Sequence, residues 1–88
     1  MALSFDPAKD DVNRAKHGVS LAGAEMLEWE TAVVFPDERT DYGEERVAAI
    51  GYIGQRLYVV IFTDRGEERR IISLRKANAR EIKRYAEA

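Results

Sequence analysis

Six consecutive residues, Leu57-Tyr58-Val59-Val60-Ile61-Phe62, are all apolar or aromatic. In an extended chain Leu57, Val59 and Ile61 point one way, and Tyr58, Val60 and Phe62 the other. Neither face can be left in water without losing about 1.5–3 kcal/mol for each large side chain. The stretch 56–63 is therefore read as the central strand of a sheet covered on both sides. Gly54-Gln55 places a glycine at the first central position of a two-residue hairpin, which pairs this strand with one over 46–53. On its other side Asp64-Arg65-Gly66 turns the chain into a third run, 68–74.

The segments outside this meander have helical signals. Asp6-Pro7 supplies a cap and a proline at the first helical position. Phe5, Ala8, Val12 and Ala15 then recur at helical spacing as a narrow apolar stripe. Lys16 and His17 fall in the last turn, where positive charge meets free carbonyls, and Gly18 is a left-handed stop. Ser20 can cap a second, short helix to about residue 28, which Gly23 weakens. Residues 31–35 are β-branched or aromatic and end at Pro36; 37–43 read as a polar loop. Asn78-x-x-Glu81 is a capping box that opens a last helix to about residue 85. The expected order is ααββββα, an antiparallel sheet packed by helices. Because the helices are segregated at the ends, the class is α+β, in one domain over 1–88. Trp29, Phe35 and Phe62 are assigned to the core.

Composition narrows the chemistry. With no cysteine and one histidine, disulfides and thiolate metal sites are excluded, and no metal or other cofactor is expected. No apolar run approaches the roughly 18 residues of a membrane span, and the N-terminus lacks a signal-peptide layout, so a cytoplasmic location is expected. The net charge of −2 conceals an asymmetry. Arg69, Arg70, Arg75, Lys76, Arg80, Lys83 and Arg84 face a single acid, Glu81, whereas residues 25–45 hold eight acids and one base, Arg39. A local cationic patch of this kind can hold phosphates, although a solvated helix face balanced by the acidic loop explains it equally well.

Several blocks together resemble one family. Phe5-Asp6-x-x-Lys9 with Asn13, and Lys16-His17-Gly18-Val19-Ser20, are similar to the N-terminal signature of the BrnT toxins. Glu45-Arg46, Ile50-Gly51, Arg65-Gly66 and Arg70-Ile71-Ile72-Ser73-x-Arg75-Lys76-Ala77 resemble its strand region, and Glu81 and Tyr85 its last helix. Glu30-Thr31 stand where the family often has aspartate-proline, and Leu21 replaces a frequent phenylalanine. The resemblance implies a RelE-like fold and a ribonuclease that arrests growth. It also implies a BrnA-like antitoxin as partner, which alone contacts operator DNA.

Metal-independent RNA cleavage needs a base for the 2′-OH, cations for the phosphorane, and an acid for the departing oxygen. Lys16, His17, Arg70, Arg75 and Tyr85 are the candidate catalytic residues on this reading, with Arg69, Lys76, Arg80 and Arg84 as candidate RNA contacts. Each has a plainer alternative. His17 could merely stabilise a helix end, Lys16 be a solvated last-turn charge or an antitoxin contact, Arg70 lie on a wet sheet face, Arg75 pair with Glu81, Tyr85 pack at the core edge, and Glu81 act only as a cap. The acidic stretch 37–45 could be a solubilising loop or dock a basic partner. The competing functional class is a catalytically inactive interaction module, an antitoxin-binding or co-repressor subunit whose basic patch could bind RNA without turnover.

Overall fold

Alternate side chains of one strand enter two separate cores. In the computed structural model, which describes residues 2–38 and 43–88, Val60 and Phe62 join Leu21, Ala24, Leu27 and Leu74 on one face. Leu57, Val59 and Ile61 join Ala48 and Ile50 on the other, with Tyr85 packed against them. The strand concerned, β4 (Arg56–Arg65), is the middle of a five-stranded sheet of order β1-β5-β4-β3-β2. Its neighbours are β3 (Val47–Ile53) and β5 (Glu68–Lys76); β2 (Val33–Pro36) and β1 (Ala2–Ser4) are the edges. The expected central, doubly covered strand and the meander around it are present. Gly54 and Gly66 carry φ of 63° and 62° at the first central positions of the two hairpin turns, a backbone region that favours glycine.

Three features depart from the expectation. First, Ala2–Ser4 is a strand, and it pairs with β5 in parallel, so the sheet is mixed rather than antiparallel. Three residues are too few to show a period. Second, the segment after Ser20 is a 3-10 helix, Leu21–Met26, followed by a single 3-10 turn, Trp29–Thr31. Ser20 does cap it, accepting from the Ala22 N–H. Gly23 belongs there because a Cβ would come within 3.1 Å of Leu74 Cδ2. Third, the apolar stripe of α1 (Pro7–His17) is not its buried face: Val12 is 64% exposed, and the one buried residue of the helix is Asn13.

The reason lies at the sheet edge. β1 covers β5 only as far as Arg70, so beyond it the outer backbone groups of β5 need other partners. Asn13 supplies them. Its Nδ2 donates to Leu74 O (2.8 Å) and Val19 O (2.9 Å), and its Oδ1 accepts from Leu74 N (3.2 Å). One buried amide thus takes the place of a strand and ties α1 to both β5 and the loop that follows the helix. Asp10 reinforces the same loop, accepting from Leu21 N and Ser20 Oγ.

The caps expected for α1 and for the last helix, α2 (Ala79–Glu87), are present: Asp6 accepts from Ala8 N, and Asn78 and Glu81 form a full capping box. Gly18, at φ 75°, stops α1 as expected. Phe62 is fully buried, but Trp29 and Phe35 lie at the core margins rather than inside it. Residues 39–42 of the acidic stretch lie outside the described residues; of its described part, Asp37 is buried.

Asn13→Ala removes three hydrogen bonds and leaves the Leu74 N–H and C=O buried without partners. It should destabilise the fold by about 2–4 kcal/mol, measured as a lowered urea midpoint. Val12→Ala, at an exposed position on the same helix, should change stability by less than about 0.5 kcal/mol.

Candidate functional site

β5 contains a bulge. Phe62 pairs with Ile71 and Ile61 with Ser73, which leaves Ile72 as an extra residue. Arg70 and Arg75 are an odd number of positions apart and would point to opposite faces of a regular strand. With the bulge, Arg70 lies opposite Thr63 and Arg75 opposite Val59, and both face the α2 side. Arg69, opposite Asp64, and Lys76, opposite Tyr58, face the other way.

On the α2 side, Arg75 is held by Glu81: Nη1 and Nη2 donate to Oε1 and Oε2, each at 2.7 Å. Glu81 Oε1 also accepts from Asn78 N at 2.9 Å, so one carboxylate closes the helix cap and fixes the arginine plane. Both anticipated structural uses of Glu81, cap and ion pair, are therefore present. Arg84 lies 3.6 Å above the Phe35 ring. Arg75, Glu81, Arg84 and the buried Asp37 surround a recess of about 270 Å³ floored by Ala48 and Ile61.

The next row of the sheet is polar. The β2–β3 pairing continues past Pro36 and Val47 through Asp37 N–H to Arg46 O (2.9 Å). Thr63 Oγ1 donates to Glu45 O, and Arg70 is the cross-strand partner of Thr63. Asp37, Arg46, Thr63 and Arg70 thus form one row across four strands. Arg46 also pairs with Glu44 at 3.5 Å. Sequence reasoning picked Arg70 from this row and missed Asp37 and Arg46, because a row across strands exists only once register is set. The Glu45-Arg46 block was the one sequence signal that could have pointed to it.

The C-terminal end of α1 approaches the bulge from the sheet edge. Val12, Lys16 and His17 on the helix and Ile72 and Ser73 on β5 line a groove of about 350 Å³. The His17 imidazole titrates below its ordinary value of 6.5, mainly because it is partly withdrawn from water, with further depression from the positive charges of Lys16 and Arg75. Lys16 and His17 thus meet β5 at Ile72 and Ser73, two residues before Arg75. Arg70 is on the same face but four strand positions farther along β4's register, roughly 13 Å away by strand rise.

The other candidates fall elsewhere. Tyr85 packs on the second core, edge-on to Tyr52 with ring centres 5.5 Å apart, and so anchors α2. Arg80, Lys83 and Arg84 line an open basic recess against Val33, over the β2 edge. Arg69 is on the opposite face, paired with Asp64 at 2.8 and 3.1 Å.

Compared with known proteins, a family model described as the ribonuclease toxin BrnT of type II toxin–antitoxin systems matches residues 5–81. No curated protein matches the chain.

The convergence of α1 and β5 is open to direct measurement. In an NMR titration the imidazole midpoint of His17 should lie below 6.5, and Lys16→Ala and Arg75→Ala should each raise it, because removing a nearby positive charge makes protonation easier. An unchanged midpoint in Arg75→Ala would show that the two side chains are not neighbours.

Proposed function

Because the chain belongs to the BrnT family of ribonuclease toxins of type II toxin–antitoxin systems, we propose that it is a metal-independent endoribonuclease centred on the end of α1 and the bulged second half of β5. The observation that carries this reading is the groove in which Lys16 and His17 of α1 meet Ile72 and Ser73 at the bulge of β5, two residues before Arg75.

The chemistry follows from those groups. A lowered pKa leaves His17 neutral at physiological pH, so it can accept the 2′-OH proton as the 2′-oxygen attacks phosphorus. Negative charge then builds on the non-bridging oxygens of the phosphorane. Arg75 answers that charge, and its grip on Glu81 orients the guanidinium plane before substrate arrives. The P–O5′ bond breaks, leaving a 2′,3′-cyclic phosphate, and the departing oxygen takes a proton from Lys16 or from water. Arg70, in the polar row on the same face, and Arg80 and Arg84, on α2 beside β2, would hold flanking phosphates. Tyr85 keeps α2, and with it Glu81, in place. Arg69 and Lys76 face away and contribute least to this surface.

The family implies an antitoxin partner. We infer that it is BrnA-like, that operator DNA is reached only through it, and that the whole chain acts as one RelE-like toxin domain in the cytoplasm. No helix among the described residues is long and apolar enough to cross a membrane.

The purified chain should cut single-stranded RNA in the presence of EDTA. Its rate should rise with pH and level off above the depressed His17 pKa, that is, at a midpoint below 6.5. His17→Ala should lower the rate about 10²–10⁴-fold and Arg75→Ala about 10²–10³-fold. Induced expression should arrest growth, and either variant should relieve the arrest. Wild-type rates in both variants would remove this site, and salt-dependent RNA binding without any cutting would instead assign the chain to the non-catalytic interaction class.

A further inference from the structure

The face opposite the proposed cleavage site carries a recess of about 600 Å³ lined by Ala2, Leu3, Glu25, Trp29 and Arg69. We propose that it is a guanine-binding site that reads a base of the RNA substrate, an inference that rests on the RNA reading above and gives it a specificity element.

Two planar groups form the wall, and both are fixed before any ligand arrives. The Trp29 indole N–H donates to Ala24 O at 3.0 Å, and the ring sits edge-on to Phe62 with centroids 5.5 Å apart. The Arg69 guanidinium lies 4.2 Å from the Phe62 centroid and 4.9 Å from that of Trp29. Asp64 holds it there through Nε and Nη2 at 2.8 and 3.1 Å. Arg69 was expected as a simple phosphate contact. It faces away from the proposed cleavage site, and its guanidinium packs over Phe62 and Trp29, so it is not placed to meet the scissile phosphate. A clamped guanidinium beside a half-buried indole that lines the recess is suited instead to a flat heteroaromatic ring, for which stacking on aromatic or guanidinium planes is the usual mode of single-strand recognition.

The rim selects among bases. Glu25 is exposed, and among the described residues it makes no hydrogen bond or ion pair. A carboxylate accepts a pair of parallel N–H donors, and guanine alone of the four RNA bases offers them, at N1 and N2. Next to them guanine O6 is an acceptor, complementary to Arg69 Nη1, which is not engaged by Asp64. Adenine and cytosine present an amino donor beside an acceptor nitrogen. Uracil presents one N–H between two carbonyl oxygens, which a carboxylate repels. A recess lined by a carboxylate, a guanidinium and an indole is therefore matched to guanine.

Trp29 is the one tryptophan of the chain, so its fluorescence reports on the recess directly. The probes are the four nucleoside monophosphates and 2′-O-methyl RNA hexamers, which cannot be cleaved because the attacking hydroxyl is blocked. A uridine hexamer with one central guanosine should quench Trp29 at concentrations about tenfold or more lower than the same hexamer with adenosine. It should also act at lower concentrations than GMP, and Glu25→Gln, an exposed change, should erase the guanosine preference. Three outcomes would overturn the assignment: no quenching by any probe, equal quenching by guanosine and adenosine hexamers, or quenching by GMP that the hexamer does not reproduce. None of these readouts involves cleavage, so an inert recess on an active nuclease and a guanine-selective recess on an inactive one are told apart by assaying the wild-type chain on ordinary RNA alongside.

Discussion

Burial of β4 on both faces is the constraint from which the rest of the structure follows. A strand with six large apolar side chains in succession needs a layer above and a layer below. One layer is built by the 3-10 segment after Ser20, the other by α2. Because the helices among the described residues are short, neither layer covers the whole sheet. The second core gives way to the recess around Arg75 and Asp37, and then to the polar row that ends in Arg70. The open parts of the sheet are thus the remainder left by two small covering layers, and they are where the charged residues collect.

A single irregularity gives those charges their arrangement. The bulge at Ile72 changes the parity of β5, so that Ile71 and Leu74 both reach the first core while Arg70 and Arg75 both reach the second face. Bulges commonly re-aim side chains next to functional sites. Here the bulge also carries Ile72 and Ser73 to the edge, where they meet Lys16 and His17. Glu81 links this geometry to α2: the carboxylate that caps the helix is the one that orients Arg75, so helix docking and guanidinium placement are not independent.

The two polar residues that matter most to the architecture behave as pieces of backbone. Asn13 completes the edge of β5 where β1 stops, and Asp10 takes up the N–H of Leu21. This explains why the apolar stripe of α1 faces water. The helix is held at the sheet edge by hydrogen bonds to an incomplete strand, and the rotation that makes them leaves Ala8, Val12 and Ala15 exposed. Hydrophobic periodicity ranks faces by apolar content alone and has no means of weighing an unpaired backbone edge.

Local chemistry was legible in the chain: the central strand from its doubly apolar run, the turns on either side of it from Gly54-Gln55 and Asp64-Arg65-Gly66, the caps Asp6, Ser20 and Asn78 with Glu81, and the family from its spaced blocks. These depend on residues within a few positions of one another, which a linear reading sees. The parallel strand β1, the rotation of α1, the common face of Arg70 and Arg75, and the row from Asp37 to Arg70 were decided by tertiary structure. Each depends on strand register, and register is set by which backbone groups find partners across the sheet, among residues as far apart as Asn13 and Leu74.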